Sequence, residues 1–491
     1  MTAFIGVDIG TTGVRAGVYG EDFSLLGTGQ GKSIIKKGPE GELFQGADEI
    51  YTETASAVRE AVENAGIEKK DITCLSFDGQ MAGIMGIDER WNALTPYDSW
   101  LDTRCWEQVK KIKEQAYGLV VEKTGNIPSY NHGPKILWWK DNRKDIYERV
   151  RSFIQPNAYV AGRLCGLKGQ DAFIDWTYLH FSGFADNRML KWADELTGLF
   201  DIHSDKLPRI VSPFTVIGSA LKEDAKLFGV PSGTPVAAGC GDTASCFLGT
   251  GAIEEGIAVD VAGTASVFAL ATNRFIKDIS GTVYTARSVV KDIWYSMSYI
   301  NGGGMNLEWF KDTFAADFSF DDLNKSIQDV PPGSDGLIFI PHLEGRAYPN
   351  NPAVRGQWRG FTRNHGLGHF YKSILEGIGY EYALYKEKIM GILDQELSYI
   401  VRGVGGGAKS PDWNQIKADI LGTQYCTINR EDIGILGQGI IAAASVGFIK
   451  DTKRSIKDII KVEKVFSPDR KKEETYVDFI RKYQKLLDEY Y

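Results

Sequence analysis

The sequence predicts an α/β protein made of two domains, and three observations lead to this prediction. The chain has 491 residues, whereas a single hydrophobic core stops growing at roughly 250 to 300 residues. Stretches with strand character alternate with stretches whose apolar residues recur at helical spacing. A unit of strand, Gly-Thr turn and strand near the start occurs again roughly 250 residues later. We therefore predict one domain at residues 1–250 and a second at 251–491.

The first domain is predicted to open with an antiparallel meander. Short turns rich in Gly, Thr, Asp or Glu separate its three strands. A helix and two more strands follow, which continues the α/β alternation. The predicted bounds are Phe4–Asp8, Gly13–Val18 and Ser24–Ile35 for the meander, Ala47–Asn64 for the helix, and Ile72–Phe77 and Ile84–Ile87 for the later strands.

The second domain is predicted to begin in the same way. Two strands flank a turn of small residues, and further strands are expected downstream. The last of them precedes a glycine-rich loop and a helix, for which Ser410 is a good N-cap and Pro411 a good first residue. The predicted strands are Ile257–Val261, Ser266–Ala271, Thr282–Tyr284, Trp294–Tyr299 and Ser398–Arg402.

The composition argues against nucleic acids and membranes as binding partners. A formal net charge of −8 and a pI near 5.5 give no general attraction to nucleic acid or to anionic membranes. The basic stretch at residues 450–472 is interleaved with acidic residues and is typical of a solvated helix face. No secretory signal and no membrane-spanning apolar run is recognisable, so we expect a cytoplasmic protein. The six cysteines show no metal-binding or redox spacing and are expected to be reduced thiols.

The turn after the first strand is a candidate phosphate-binding hairpin. Glycines allow backbone N–H groups to approach an anion, and the hydroxyls of Thr11 and Thr12 add hydrogen bonds. Asp8, at the end of the strand, can hold the hydration shell of a magnesium ion. The alternative interpretation is an ordinary hairpin turn capped by threonine.

A second hairpin of this kind contains Gly263 and Thr264. Alone it is a weak signal. Two such hairpins in the two halves of one chain are less easily explained by chance, because a nucleotide between two domains needs a phosphate loop from each. The pair therefore favours a polyphosphate ligand.

The glycine-rich loop Gly403–Ala408 follows a predicted strand and leads into a helix. A nucleotide base or ribose can lie against such bare backbone, and close packing of strand and helix is the alternative explanation for the glycines. The loop resembles a dinucleotide fingerprint, but only 88 residues remain beyond Gly403, which is short for a Rossmann domain. A P-loop at Gly27–Ser33 is excluded because Leu26 stands where its first glycine is required.

Asp242 is the candidate general base. It follows a buried-looking strand, Pro235–Ala238, and two glycines, and it precedes a helix of small residues. A carboxylate at such a junction is placed to accept a proton from a bound hydroxyl, and burial would raise its basicity. The competing interpretation is that Asp242 only caps the helix that follows.

At these residues the sequence resembles the FGGY family of carbohydrate kinases over nearly the whole chain. The motifs stand in the family's order and are collectively specific. They are the opening Asp-Ile-Gly-Thr-Thr, Gly79–Met81, Trp100–Arg104, Pro134–Trp138, Gly241–Asp242, Gly356–Phe361, and Gly405–Ala408 with Trp413–Ile416.

The resemblance implies two actin-like, ribonuclease H-like domains with an interdomain catalytic cleft that binds ATP and Mg²⁺. It assigns the general base to Asp242, which also contacts substrate, and the metal to Asp8. The ATP-binding residues would be Thr11, Thr12, Gly263, Thr264, Gly405, Gly406, Gly407 and Ala408. The sugar-binding residues would be Gln80, Met81, Trp100, Asp102 and Arg104.

The substrate is the least determined part of the prediction. Ala82 stands where many xylulose kinases of the family have a histidine, so one polar sugar contact is missing. Asp102 and Arg104 are two residues apart, so on an extended segment both can face one side and offer an acceptor and a donor to neighbouring hydroxyls. The motifs favour a ketopentose such as xylulose, with another ketose, a sugar acid or a polyol as alternatives. A non-catalytic actin-like sensor and, more distantly, a Rossmann oxidoreductase are the rival classes, and a homodimer is left open.

Overall fold

The computed structural model describes residues 2–490, which form two compact units. The first unit comprises the residues up to Ile253 with Ala286–Ile293 and Asp432–Ile460. The second comprises Glu254–Thr285, Trp294–Glu431 and the residues from Lys461 onward. The chain first leaves unit 1 close to the predicted boundary at residue 250. Asp432–Ile460 returns to unit 1, which a single boundary does not describe.

Strands and helices alternate along the chain. The strands are β1 (Ala3–Ile9), β2 (Gly13–Tyr19), β3 (Leu25–Lys32), β4 (Lys36–Lys37), β5 (Leu43–Gln45), β6 (Ile72–Gly79), β7 (Met85–Ile87), β8 (Tyr97–Asp98), β9 (Ser152–Ile154), β10 (Phe173–Asp175), β11 (Ala185–Asp186), β12 (Lys191–Trp192), β13 (Arg209–Val211), β14 (Val216–Ser219), β15 (Pro235–Ala237), β16 (Cys240–Gly241), β17 (Ile257–Ala262), β18 (Ser266–Thr272), β19 (Tyr284–Arg287), β20 (Trp294–Ile300), β21 (Ile338–Ile340), β22 (Gln357–Arg359), β23 (Ile400–Val404), β24 (Tyr425–Ile428) and β25 (Val462–Phe466). The helices are α1 (Ala47–Ala65), α2 (Trp106–Thr124), α3 (His132–Asn142), α4 (Lys144–Arg149), α5 (Pro156–Cys165), α6 (Asp194–Leu199), α7 (Lys222–Phe228), α8 (Asp242–Gly249), α9 (Gly303–Phe314), α10 (Phe320–Ser326), α11 (Leu367–Leu393), α12 (Pro411–Leu421), α13 (Ile433–Ser445), α14 (Thr452–Ile459) and α15 (Arg470–Asp488).

The main sheet of unit 1 has the strand order β14-β15-β6-β1-β2-β3. β1, β2 and β3 form the predicted antiparallel meander, and β6 runs parallel to β1. Apolar residues such as Val7 and Phe77 belong to a core with residues of α1 and α5. On the other face, a Cβ atom on Gly6 would stand 2.0 Å from the carbonyl oxygen of Ile435 in α13. Only glycine lets α13 lie this close to the sheet.

The main sheet of unit 2 repeats this arrangement. Its order is β19-β20-β18-β17-β23-β24-β25. β17 pairs antiparallel with β18, and β18 with β20, while β23 runs parallel to β17 on the other side. Residues of α11, α12 and α15 share one apolar core with the strands. The prediction of an α/β fold with two related halves is therefore confirmed.

A fully buried ion pair lies inside unit 2. Lys417 of α12 bonds Asp260 of β17, and both side chains are inaccessible to solvent. The hydroxyls of Tyr382 and Tyr425 donate to Asp260 over 2.8 and 2.7 Å. The ammonium group of Lys417 also lies 3.7 Å from the centre of a ring of Trp413. The charges are thus paired, hydrogen-bonded and enclosed by aromatic rings, as buried charges must be.

Two further features concern disulfides and membrane-spanning helices. The six cysteines form no disulfide in the structure of residues 2–490. Within that same range, every helix is too short or too polar to cross a membrane.

Candidate active site

Three aspartates meet at one edge of the unit 1 sheet. Asp8 near the end of β1 is directly opposite Asp78 near the end of β6. Cys240 of β16 is the neighbour of Asp78 on the other side, and Asp242 begins α8 two residues later. The carboxyl ends of neighbouring parallel strands meet at the same sheet edge, which is where α/β sheets bind ligands. Asp78 was not predicted, although a carboxylate in an otherwise buried strand was a visible signal.

Burial dominates the electrostatics of these three aspartates. Asp78 is fully buried. Burial, followed by the charges of Asp8 and Asp242, raises the pKa of Asp78 well above its usual range. Burial also raises the pKa of Asp8, and burial followed by the charge of Asp8 raises the pKa of Asp242 to about 7. A cation at this edge would relieve the mutual repulsion.

Asp242 is anchored at the start of α8. Its Oδ1 accepts hydrogen bonds from the backbone N–H of Thr243 at 2.5 Å and from the Thr243 hydroxyl at 3.1 Å. Gly241 occupies the N-cap position of α8 and Asp242 is the first helical residue, so the competing interpretation of Asp242 as the helix cap is wrong. Both bonds use Oδ1, and they fix the orientation of the carboxylate.

The first hairpin shares a hydrogen-bond network with two predicted sugar-binding residues. The Thr11 hydroxyl donates to Gln80 Oε1 over 3.1 Å, and Trp100 Nε1 donates to Thr11 Oγ1 over 3.0 Å. Gln80 Nε2 donates to Gln45 Oε1 over 2.7 Å and to the Gly10 carbonyl over 3.2 Å. The ring of Trp100 remains 44% exposed. The structure therefore brings a candidate phosphate residue and two candidate sugar residues together.

The side chains of Asp102 and Arg104 face each other. The backbone N–H of Asp102 donates to the carbonyl of Ser99, so the chain turns directly before this pair. Arg104 donates to both oxygens of Asp102, from its backbone N–H over 2.9 Å and from Nε over 2.8 Å. Its other nitrogens bond Glu42 and Asp98. The two predicted sugar ligands thus bind each other, and Arg104 is the centre of an acidic network in which Glu42 and Asp98 were not predicted.

Met81 packs against the strand that leads to Asp242. It is buried in an apolar cluster with Tyr178 and neighbouring residues. A Cβ atom on Gly241 would stand 2.0 Å from Met81 Sδ, so a larger residue here would force the Met81 side chain to move. The next residue, Ala82, has a φ of 60°, in the left-handed region that is uncommon for alanine.

The two predicted nucleotide segments of unit 2 line one cavity. The second hairpin and the glycine-rich loop enclose about 510 Å³ together with parts of α9, α10, α11 and α12. This volume is within the range of small-molecule pockets. Its lining includes Gly263, Thr264, Gly406, Gly407 and Trp413.

The glycine-rich loop also packs tightly, as the competing interpretation expects. Gly405 has a φ of +86°, and a Cβ atom on Gly407 would stand 2.4 Å from the ring of Trp413. Ser410 caps α12 as predicted, because its Oγ accepts from the backbone N–H of Trp413 over 3.3 Å. The loop is therefore a rigid wall of the cavity. Ala408 is buried in the same turn.

No group of three or more His, Cys, Asp or Glu side chains is arranged to enclose a metal ion within the part of the chain that the structure describes. Mg²⁺ in phosphoryl-transfer sites keeps several waters and takes only one or two carboxylates with the substrate phosphates. The aspartates of the sheet edge fit this mode of binding. Asp8 is the partly exposed carboxylate of the β1 end.

Comparison with known proteins gives a consistent result. The model of the FGGY family of carbohydrate kinases, N-terminal domain, matches residues 3–249, and that of the C-terminal domain matches residues 258–446. The xylulose kinase of Bacillus subtilis (strain 168) is 26% identical over 502 residues, covering 100% of this chain and 96% of the relative. The gluconokinase of the same strain is 28% identical, covering 94% and 91%. The crystal structure of a ligand-bound xylulose kinase from Lactobacillus acidophilus superimposes with a TM-score of 0.92 at 23% identity, covering 99% of this chain and 98% of that one. The chain therefore belongs to the FGGY family of carbohydrate kinases, the phosphotransferases that use an alcohol group as acceptor.

Proposed function

We propose that this protein transfers the γ-phosphate of ATP to a hydroxyl of a ketopentose such as xylulose, with Asp242 as the general base. The observation that carries the proposal is the Asp242 carboxylate, which is fixed by Thr243 at a sheet edge with two further aspartates. The curated relatives with the names xylulose kinase and gluconokinase support a sugar or sugar-acid substrate. A panel of ketoses, aldoses, polyols and sugar acids, assayed by ADP release, tests the proposal. Release of ADP with a sugar acid alone would favour the gluconate alternative, and no release with any compound would favour a sensor.

In the proposed reaction Asp242 removes the proton from the acceptor hydroxyl. The resulting oxygen nucleophile bonds to the γ-phosphorus, and the bond from that phosphorus to the bridging oxygen of ADP breaks. The proton stays on Asp242 until it is released to solvent. Phosphoryl transfer depends on alignment and charge stabilisation more than on covalent help, so one base suffices.

Asp8 would hold Mg²⁺, with the charges of Asp78 and Asp242 close by. When bound, the ion supplies positive charge that offsets the phosphate oxygens during transfer. Gln80, Met81 and Trp100 would contact the sugar. Asp102 would act on the sugar site through Arg104, which binds both of its oxygens.

Nucleotide affinity is expected to depend on residues of both units. Thr12 and Thr264 are exposed hairpin hydroxyls, and each would donate to a phosphate oxygen. Thr12→Val and Thr264→Val should each weaken ATP binding by about 1 to 3 kcal/mol, since a charge-assisted hydrogen bond is lost. Isothermal calorimetry measures this, with Thr475→Val on the exposed face of α15 as the control. If only one of the two hairpin variants weakened ATP binding, the proposal that both units bind the phosphates would be contradicted.

The pH dependence of the reaction follows from Asp242. Because burial raises the pKa of its carboxyl to about 7, the base is protonated and inactive at lower pH. We expect kcat/KM for the sugar to fall about tenfold per pH unit below about pH 7 and to level off above it. The Thr243 hydroxyl bonds Oδ1 of Asp242 and thereby lowers the pKa of its carboxyl. Thr243→Val removes this hydroxyl, so the pKa should rise and the acid limb should move to higher pH. A profile without an acid limb between about pH 6 and 8 would exclude this assignment.

A further inference from the structure

A buried histidine lies beside the proposed sugar site and has no role in the reaction described so far. His132 is the first residue of α3. One turn later, Lys135 Nζ donates to the carbonyl of Asp102 over 2.8 Å and to that of Tyr130 over 2.9 Å. The start of α3 is therefore attached to the segment that contains Trp100 and Asp102.

His132 also lies next to Tyr178, which contacts the strands that lead to Gln80 and Asp242. Its ring centre is 6.1 Å from that of Tyr178. The Tyr178 hydroxyl is 2.8 Å from the carbonyl oxygen of Gly79 and 3.5 Å from that of Cys240. Gly79 directly precedes Gln80, and Cys240 stands two residues before Asp242. His132 is thus linked through Lys135 to one group of proposed sugar residues and through Tyr178 to the other.

The hydrogen bonding of His132 is incomplete. The side chain is 2% exposed, and Nε2 has no hydrogen-bond partner among residues 2–490. Burial, followed by the charges of His180 and Lys135, lowers the pKa of His132 to about 3, so the ring is neutral and offers one donor and one acceptor nitrogen. A buried polar atom without a partner is destabilising unless something binds it. Nε2 of His132 can therefore bind a ligand group without giving up a bond within the protein.

The adjacent Asn131 shows the same incompleteness. It occupies the N-cap position of α3, where an asparagine side chain normally accepts a hydrogen bond from the first turn. No such bond is present, and its buried Oδ1 also lacks a partner within the described chain. Two neighbouring polar groups at this helix start are thus free to bind a polyhydroxylated ligand.

We propose that His132 is a sugar-binding residue whose Nε2 hydrogen-bonds one hydroxyl of the substrate and so supplies the polar contact that Ala82 cannot make. This inference rests on the proposed function. It assigns part of the selectivity for the acceptor to a residue outside the recognised sugar motifs. Ala82 has no hydrogen-bonding side chain, whereas a site that binds a hydroxyl rejects analogues that lack it.

The test compares His132→Ala, His132→Gln and the wild type with the best substrate of the panel. His132→Ala should raise KM for the sugar by about 10-fold or more, with KM for ATP unchanged. His132→Gln, which keeps a hydrogen-bonding group, should recover part of the loss. The control is His203→Ala, because His203 is an exposed histidine in the same unit.

Monodeoxy analogues of the substrate give a second measurement that does not depend on the stability of the variants. The wild type should discriminate against the analogue that lacks the hydroxyl bound by His132, and His132→Ala should treat that analogue and the parent sugar alike. A sugar KM within about twofold of wild type for His132→Ala, with discrimination retained at every hydroxyl, would overturn the proposal. If the wild type releases no ADP with any sugar, the proposed function fails and this inference falls with it. Active wild-type protein with unchanged variants refutes the role of His132 alone.

Discussion

Asp242→Asn should lower kcat by a factor of about 10² or more while ATP still binds, because a positioned general base contributes about that much. Asparagine preserves the shape of the side chain and can still accept from the Thr243 backbone through its carbonyl oxygen. It cannot take the proton of the acceptor hydroxyl. Steady-state ADP release gives kcat, and calorimetry gives the ATP affinity.

A matched control for this substitution is Asp145→Asn, which neutralises an exposed carboxylate on α4 of the same unit. Its turnover should equal that of the wild type. Turnover of Asp242→Asn near the wild-type value would remove Asp242 from the mechanism. Loss of ATP binding in this variant would instead show that Asp242 serves the nucleotide.

Lys417→Met should destabilise the protein by about 3 to 5 kcal/mol, since removal of one partner leaves Asp260 charged and buried without its counter-ion. Two tyrosine hydroxyls still donate to Asp260, but they do not supply a positive charge. Urea unfolding measures the loss in free energy of unfolding, taken from the transition in which unit 2 unfolds. The control Arg481→Met removes an ion pair whose two side chains are about 70% exposed, and it should cost less than about 1 kcal/mol.

The double variant Lys417→Met with Asp260→Asn separates the two contributions to this loss. Removing both charges should restore much of the stability, because most of the cost in the single variant comes from the unpaired carboxylate. A single variant that unfolds like the wild type would show that the pair contributes nothing to stability. A double variant no better than the single one would show that packing around Trp413, not charge, is what Lys417 provides.

Local features of the fold could be predicted from sequence. The meander of β1, β2 and β3 follows from turn residues between short apolar runs, and Ser410 caps α12 where its position predicts. The second hairpin and the glycine-rich loop were expected to serve one ligand, and they line one cavity. In each case the information lies within a few neighbouring residues, where backbone geometry and capping preferences act directly.

Features that depend on distant contacts could not be predicted. Asp78 joins Asp8 only because β6 pairs with β1 in that register, and Asp260 meets Lys417 across 157 residues of sequence. Asp102 and Arg104 were expected to offer their side chains to the sugar, but Arg104 donates to both oxygens of Asp102 and also bonds Glu42, 62 residues away in sequence. The cytoplasmic location remains a prediction.

The return of residues 432–460 to unit 1 has a consequence for biosynthesis. Ser76 of β6 donates to Gln438 of α13, and the Tyr19 hydroxyl donates to Asp432 over 2.7 Å. The face of the first sheet that α13 covers, which includes Gly6, therefore stays uncovered until residues 432–460 have been synthesised. A fragment that ends at Ile253 would leave this face exposed permanently. The amino-terminal half cannot mature during translation ahead of the rest, and a nonsense mutation anywhere before residue 432 would leave a nascent product prone to aggregation.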